Sequence, residues 1–276
     1  LDAHPVPGSI LTAIAFSLLT FIIMIIAMMI MGIIIGDSSS EAMKGYVTRS
    51  SLIGAPFTIL FYWLWFRPET NGLVKGGKLS NAARVIIVFL IYWVISLIMS
   101  VVAGASVSAP PVEGIWTSVF AGIIEELLTR GVLISPMMRK DQNKKTVLTA
   151  LFVSAGVFGA VHLSNALVGA DLGSSISQTF SSFCFGIIFA TGFLLTGNVL
   201  PCMIIHALYD ISVFAVSNRN ELSDSGVVKH AFGLDNLIDD VLIGIAAVYI
   251  VYYIMQEPVQ EKIKSVWKDK WHLQED

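Results

Sequence analysis

Two adjacent carboxylates and an arginine stand in the middle of an apolar segment. The segment runs from about Glu113 to Met138 and contains Glu125, Glu126 and Arg130. A charge at the centre of a bilayer helix costs about 2.5–3.5 kcal/mol on insertion scales, so three charges in one span must be paired and must face the inside of a helix bundle. Charges in such a place indicate a functional site.

The helical spacing divides these charges into a pair and a single carboxylate. Glu126 and Arg130 are four positions apart, the spacing at which side chains meet on one helix face. Glu125 lies about 100° around the helix axis from Glu126, and four positions after it stands Thr129 rather than a base. We therefore predict a buried salt bridge beside a carboxylate, Glu125, that is available for chemistry.

Further titratable side chains lie in two later apolar segments. His162 ends the motif Phe158-x-x-x-His162, whereas His206 and Asp210 are four positions apart on one helix face. A lone histidine in a membrane helix is more often a packing residue than a ligand. Together with Glu125, however, these residues place polar groups on three different spans. A shared polar cavity would satisfy all of them at once, so we predict one inside the membrane.

The chemistry available to this set is the activation of water. A carboxylate can take a proton from water while an imidazole orients it, and a second imidazole can stabilise an oxyanion. The same donors could hold a divalent metal such as Zn²⁺ with one position open for water. The four residues of this set are Glu125, His162, His206 and Asp210.

The composition indicates a membrane protein. Of 276 residues, 55% are hydrophobic and only 13% are charged, with a mean hydropathy of +0.76, whereas soluble domains carry about 25% charged residues. A net charge of −3 gives no sign of a nucleic-acid partner. Cys184 and Cys202 have no C-x-x-C spacing, so neither a disulfide framework nor a thiolate metal site is indicated.

Apolar segments of near-spanning length predict an all-α, polytopic membrane protein with a bundle of about eight transmembrane helices, because a spanning helix needs about 20 mostly apolar residues. The segments are Ile10–Ile35, Leu52–Phe66, Val85–Ala105, Glu113–Met138, Thr146–Leu167, Ile176–Thr196, Val199–Val216 and Leu237–Met255.

These spans predict a single transmembrane domain over residues 10–255, with its polar core at 113–216. Residues 1–9 are expected to be a cloning remnant or a disordered tail, and residues 256–276 a charged cytoplasmic tail. Gly186 and Gly192 of the sixth span are available for close helix contact.

The distribution of lysine and arginine predicts the orientation in the membrane. The alternate loops hold only Lys44, Arg49, Arg219 and Lys229. Twelve basic residues occupy the loops before the third and fifth spans and the C-terminal segment: Arg67, Lys75, Lys78, Arg84, Arg139, Lys140, Lys144, Lys145, Lys262, Lys264, Lys268 and Lys270. Both termini are therefore predicted to be cytoplasmic, in agreement with an even number of spans. The basic loops and the absence of organelle signals favour a bacterial plasma membrane.

Three motifs in this order resemble those of the CPBP intramembrane proteases. This is the CAAX-processing and bacteriocin-processing (Abi) family, which includes the eukaryotic Ras-converting endopeptidase. The resemblance covers about Trp116–Phe214. The motifs are Glu125-Glu126-x-x-x-Arg130, Phe158-x-x-x-His162 and His206-x-x-x-Asp210.

The resemblance implies an eight-helix intramembrane endopeptidase that cuts a peptide or a membrane-anchored protein. It implies that Glu125 is the general base on water and that His162 shares this water. His206 and Asp210 would form the oxyanion-stabilising pair. The family is catalogued as metalloproteases, but a glutamate-dependent mechanism without metal is the rival account. The resemblance also suggests that the cavity opens to the cytoplasmic side.

Supporting roles are implied for Glu126, Arg130 and Phe158, and one position departs from part of the family. Some relatives carry Asn where Asp210 stands. An ionised Asp cannot donate a hydrogen bond to an oxyanion, so Asp210 must be protonated, orient His206 or ligate a metal. We predict that it orients His206.

Two other functions are compatible with the same residues. Buried Glu, His and Asp also mark the ion paths of transporters, although no pair of Gly- or Pro-broken helices in matching halves supports this. A non-catalytic bacteriocin immunity or scaffold protein could use buried charges only to specify helix packing. Peptide cleavage that is lost on changing Glu125 would distinguish the protease from both.

Overall fold

The computed structural model describes residues 4–35, 54–168, 170–216 and 233–273, and these residues form an all-α fold. Their one extended pairing is an isolated antiparallel bridge between Val107 and Val216. Within the described ranges, five helices are long and apolar enough to cross a membrane: Pro5–Ile34, Leu79–Val102, Lys144–Leu167, Leu172–Thr196 and Asn236–Ile254. The predicted class, an all-α polytopic membrane protein, is confirmed.

The helices are named here in chain order. They are α1 (Pro5–Ile35), α2 (Gly54–Phe66), α3 (Arg67–Thr70), α4 (Ala83–Val102), α5 (Val112–Glu126), α6 (Ser135–Lys140), α7 (Lys144–His162), α8 (Leu172–Thr196), α9 (Leu200–Ala215), α10 (Leu234–Ile254) and α11 (Glu257–Trp271). Short 3₁₀ turns, Leu79–Ala82 and Leu163–Val168, precede α4 and follow α7.

The predicted count of eight spans stays a prediction. Two of the predicted spans coincide with the shorter apolar helices α2 and α9. A third corresponds to one continuous helical segment, made of α5, the π-helical residues Leu127–Ile134 and α6. We call this segment the rod. Residues 52 and 53 of the second predicted span lie outside the described residues.

The rod from α5 to α6 contains the charged motif at its centre. Between the two α-helices, residues Leu127–Ile134 are π-helical, a conformation that is rare and frequently found at functional sites. All of these residues except Leu128 are buried. The segment therefore brings Arg130 into the interior of the bundle together with apolar neighbours that exclude water.

Glycines bring the helices around this segment into direct backbone contact. A Cβ on Gly122 of α5 would lie 2.9 Å from the carbonyl oxygen of Met203 in α9, and one on Gly186 of α8 would lie 2.6 Å from Cα of Ala155 in α7. The close contact predicted at Gly186 is therefore confirmed. A Cβ on Gly192 would lie 3.9 Å from Val85 of α4, an ordinary van der Waals contact, so the packing there does not require a glycine.

The C-terminal segment is not the free tail that its charge suggested. It forms α11, whose buried side chains Val259, Ile263 and Trp267 recur every four positions and so share one helix face. Trp267 is fully buried, and its indole nitrogen donates a 2.8 Å hydrogen bond to the carbonyl oxygen of Leu194 at the end of α8. The expected disordered N-terminus also differs, since Pro5–Ile35 is helical from its first residue and Ser9 is buried.

The buried side chain of Lys270 joins α11 to two other segments by hydrogen bonds. The ammonium group of Lys270 donates hydrogen bonds to the carbonyl oxygens of Gly72 (2.6 Å), Lys75 (2.7 Å) and Gly197 (3.0 Å). Burial lowers the pKa of this lysine from its usual value to about 8. The contacts join the connection after α3, the turn after α8 and the last turn of α11.

These connections define two ends of the bundle. At one end Gly77 donates a 2.6 Å backbone hydrogen bond to Thr196, and Lys144 at the start of α7 donates to the carbonyl of Met255 after α10 (3.2 Å). We call this end the basic face; it comprises residues 67–84, 139–145, 197–199 and 255–271. At the other end Ser108 donates to Ala215 (2.9 Å). We call that end the charge-poor face; its described residues are 103–111, 163–168, 170–171, 216 and 233.

Candidate active site

A cavity of about 480 Å³ lies between α5, α7, α8, α9 and α10. All four side chains predicted to act on water contribute to its lining. α5 contributes Glu125, the last turn of α7 contributes His162, and α9 contributes His206 and Asp210. The sequence prediction that these residues share one intramembrane cavity agrees with this geometry.

The salt bridge predicted from helical spacing is present beneath this cavity. The Nε atom of Arg130 lies 3.1 Å from Oε2 of Glu126, and both side chains are fully buried. The guanidinium also donates to the hydroxyl of Thr129 and lies 4.7 Å from the ring centroid of Phe158. A buried charge needs such partners, because the loss of hydration is otherwise uncompensated.

His206 is the residue that connects this pair to the cavity. Its Nδ1 atom lies 2.9 Å from Oε1 of Glu126. Its Nε2 atom lies 3.4 Å from Oδ2 of Asp210 and 3.9 Å from Oε2 of Glu125. The two ring nitrogens therefore have different environments: Nδ1 faces a fully buried carboxylate, and Nε2 faces two carboxylates of the cavity.

The Glu126–His206 contact was not foreseen from the sequence. We predicted that Asp210 orients His206, but Glu126 makes the shorter contact and does so on the nitrogen that is turned away from Asp210. Glu126 therefore supports the site by direct contact with a histidine as well as by pairing with Arg130. The two residues are 80 positions apart in the chain, so no local spacing indicates that they meet.

Glu125 has the unengaged carboxylate expected of it. Its Oε2 atom is buried and has no hydrogen-bond partner in the described part of the chain, whereas the side chain as a whole is 33% exposed. The hydroxyl of Thr129, which might have paired with this carboxylate, instead donates to the backbone carbonyl of Glu125 (2.6 Å). The exposed part of the side chain is thus left to interact with whatever occupies the cavity.

His162 is oriented by its own helix. Its Nδ1 atom lies 2.8 Å from the carbonyl oxygen of Phe158, one turn earlier in α7. Because a carbonyl oxygen only accepts, Nδ1 must carry the proton in this contact, and Nε2 of a neutral ring is then an acceptor. The ring of Phe158 packs edge-on against the imidazoles of His162 and His206, with centroid distances of 5.1 and 5.8 Å.

A second polar cluster in the cavity was missed by the sequence analysis. Asp239 and Asp240, in the second turn of α10, both contribute to the lining. Asp239 accepts a 2.9 Å hydrogen bond from Tyr92, and Asp240 accepts from Ser177 (2.7 Å) and Ser181 (2.8 Å). The signal was available, because acids within an apolar span are rare and almost always face the bundle interior or a water-filled cavity.

The alternative in which a metal is held by Glu125, His162, His206 and Asp210 stays a prediction. In the ranges that the structure describes, no group of three or more His, Cys, Asp or Glu side chains is placed to hold a metal ion. Nε2 of His206 lies 3.4 and 3.9 Å from the carboxylate oxygens of Asp210 and Glu125, close to the roughly 3.3 Å between two ligands that are each about 2 Å from a tetrahedral ion.

The fold and the cavity define a polytopic membrane protein with an intramembrane polar site. A family model described as type II CAAX prenyl endopeptidase Rce1-like matches residues 107–212. The matched segment contains all three motifs, so the resemblance to CAAX-processing proteases is confirmed for this part of the chain. The family indicates a protease. No curated protein and no solved structure shows significant similarity to the chain.

Proposed function

We propose that this protein is an intramembrane endopeptidase in which Glu125 activates the water that attacks a peptide bond. The observation that carries the proposal is the position of Glu125. Its side chain lines the cavity and is 33% exposed. Its Oε2 atom has no hydrogen-bond partner among the described residues and lies 3.9 Å from Nε2 of His206. A separation above 3.5 Å leaves room for a small molecule to contact both groups from the cavity side.

Water is deprotonated by Glu125 in this mechanism. The carboxylate takes a proton from water as the oxygen attacks the substrate carbonyl, which is general base catalysis. Nε2 of His162 accepts the second proton of the same water in a hydrogen bond and so orients its lone pair. The proton on Glu125 is then given to the leaving amine, which yields a new carboxylate and a new amino terminus.

The oxyanion of the tetrahedral intermediate is stabilised by His206. A ring that donates through Nδ1 to Glu126 and carries a second proton on Nε2 presents a donor to the cavity, and a fixed donor of this kind stabilises developing negative charge. When no substrate is bound, Asp210 accepts the hydrogen bond from Nε2 of His206. When the oxyanion forms, the same N–H donates to the oxyanion instead, and the proton stays on His206. Arg130 balances the charge of Glu126, so that the pair behind His206 is neutral.

The substrate class that we propose is a peptide or protein anchored in the membrane. The matched family is described by its action on prenylated CAAX tails, whereas a bacteriocin or pheromone leader is the corresponding substrate for the bacteriocin-processing branch. We propose the bacterial plasma membrane as the location, with both termini in the cytoplasm. Lipid is then the constant partner of the outer helix surfaces, and nucleic acid has no role.

The test is cleavage of internally quenched peptides by the purified protein in lipid vesicles. One set ends in a prenylated CAAX sequence and a second set carries a single transmembrane anchor. We expect cleavage of at least one set, and a decrease of about 100-fold or more in Glu125→Gln, the range that general base catalysis supplies. Cleavage that persists in Glu125→Gln would exclude Glu125 as the base.

Glu113→Gln is the matched control. It removes the same charge from the same helix at an exposed position in the first turn. We expect this variant to keep full activity. Absence of cleavage for both peptide sets, combined with substrate-dependent ion flux in the vesicles, would favour a transporter instead.

A further inference from the structure

The cavity reaches only one of the two ends of the helix bundle. Its deep lining includes Glu125, Phe158, Phe185, Phe189 and His206. Its remaining lining is largely from helix ends: the last turn of α7 with the 3₁₀ turn after it (162–165), the first turns of α8 (174–178), the last turns of α9 (210–214) and the first turns of α10 (236–240). All of these turns lie next to the connections of the charge-poor face.

Toward the basic face the bundle is tightly packed. Beyond the ion pair of Glu126, the side chains of Arg130, Leu133 and Met138 are 0–1% exposed, as are those of Phe193 and Leu194 in α8. The cavity lining includes none of these residues. On this side lies a separate apolar cavity of about 30 Å³, whose lining includes Leu79, Phe189 and Pro201. Among the described residues, the polar cavity itself does not extend to the basic face.

The charge distribution assigns the two faces to opposite sides of the membrane. The basic face carries the twelve lysines and arginines counted above, whereas residues 103–111 and 163–171 contain none. Short basic loops remain on the cytoplasmic side. The remaining four basic loop residues, Lys44, Arg49, Arg219 and Lys229, lie outside the described residues, and even together they are a minority.

We propose that the cavity opens to the extracytoplasmic side of the membrane, so that the protein acts on polypeptide segments presented from that side. The second half of this statement rests on the proposed protease function, but the first half does not. The proposal reverses the cytoplasmic opening suggested by the family resemblance. It follows from where the helix ends that line the cavity lie relative to the basic loops.

The chemistry of the opening fits a hydrated peptide better than a lipid chain. The lining at this end includes Ser164, Asn165 and Gln178, and the amide of Asn165 donates to that of Gln178 (2.8 Å). Asp239 and Asp240 follow on the opposite wall. Hydroxyl, amide and carboxylate groups can exchange hydrogen bonds with a peptide backbone, whereas an acyl chain would leave them without partners.

The test uses single cysteines and a membrane-impermeant sulfonated maleimide applied to intact bacterial cells that express the full chain. Ser164→Cys and Gln178→Cys report the opening, Ser181→Cys reports the depth of the cavity, and Lys145→Cys and Lys264→Cys report the basic face. The native Cys184 and Cys202 are buried, so the parent protein supplies the background.

We expect Ser164→Cys and Gln178→Cys to react in intact cells, Ser181→Cys to react there more slowly, and the two lysine positions to react only after permeabilisation. The reverse pattern would overturn the proposal, as would labelling of the cavity positions only after permeabilisation. Failure of Ser181→Cys to react at any stage, with Gln178→Cys reactive, would also overturn an open cavity. Labelling does not depend on cleavage. A protein that is labelled as expected but cleaves no peptide would therefore contradict the proposed protease function and leave the position of the opening intact.

Discussion

Glu126 contacts His206 at the ring nitrogen that faces away from Asp210, with 2.9 Å between Oε1 and Nδ1. Glu126 does not line the cavity, and its other oxygen pairs with Arg130. One buried carboxylate therefore links an arginine that is shielded from water to a histidine at the cavity wall. The orientation of His206 depends on a residue that no substrate touches, and Glu126 is a positioning residue.

Replacing both members of the Glu126–Arg130 pair is expected to separate its contribution to stability from its contribution to the orientation of His206. Glu126→Met leaves the buried charge of Arg130 without its carboxylate and should lower the free energy of unfolding by about 3–5 kcal/mol. Arg130→Met should cost less, because Glu126 keeps its contact with His206. The double variant should recover much of this loss, because neither charge remains. Its kcat should nevertheless stay low, since Nδ1 of His206 has lost its acceptor.

The three variants and the native protein form a double-mutant cycle. Two quantities are measured on each protein: the free energy of unfolding in detergent and the rate of peptide cleavage. A double variant with native kcat would show that the pair serves stability only. Additive losses of stability would show that the two side chains do not interact in the folded protein.

Asp210→Asn is expected to retain activity within about tenfold of the native protein. The amide oxygen of Asn can still accept from Nε2 of His206, and Glu126 orients the ring from the other side. The loss of a charge-assisted bond in favour of a neutral one corresponds to roughly 1 kcal/mol. Asp210→Ala, which removes the acceptor altogether, is the comparison in the same cleavage assay. Loss of all activity in Asp210→Asn would show that the negative charge itself is required.

Metal removal is expected to leave cleavage within a fewfold of its starting rate. Glu125 and His162 can deprotonate and orient water without a metal, and in the described part of the chain no group of three or more His, Cys, Asp or Glu side chains is placed to hold an ion. The measurement is elemental analysis of the purified protein together with activity before and after chelation. Stoichiometric zinc, with activity that disappears on chelation and returns on adding zinc, would contradict this prediction.

Stability is expected to rise with pH between about 8 and 10 because of Lys270. Burial lowers the pKa of its ammonium group to about 8 in the folded protein, whereas an unfolded lysine has a pKa of about 10.4. In this interval the unfolded chain binds the extra proton, so raising the pH favours the folded state. Below about pH 8 both states are protonated and this contribution is constant.

Apparent melting temperatures in detergent, measured from pH 7 to 10 on the native protein and on Lys270→Met, test this dependence. The difference between the two proteins should change in favour of the native one as the pH rises. A difference that is independent of pH would mean that Lys270 has an ordinary pKa despite its burial.

Local spacing was enough to predict the pairs that lie on one helix. Glu126 with Arg130, and His206 with Asp210, are each four positions apart, and their contacts follow from helix geometry alone. The positions of the helices could be predicted as well, because apolar runs of this length have few other stable conformations in a membrane.

Contacts between distant segments could not be predicted in this way. The approach of Glu126 to His206 depends on how α5 packs against α9, which Gly122 permits by its lack of a side chain. The docking of α11 depends on Trp267 and Lys270 finding carbonyl oxygens some 70 and 200 residues away. Asp239 and Asp240 were visible as unusual residues, but only the packing of α10 beside α8 relates them to the cavity.

The glycine contacts also limit how the site can receive its substrate. A Cβ on Gly159 would lie 2.8 Å from the carbonyl oxygen of Thr179, so α7 and α8 touch one turn away from His162, and Gly122 joins α5 to α9 at the level of Glu125. Walls that are in backbone contact at this depth leave less room between them than a whole helix needs, which is about 10–12 Å across with its side chains. For the proposed protease, a transmembrane substrate would then have to uncoil before cleavage, and residues that ease uncoiling near the scissile bond would select which proteins are processed.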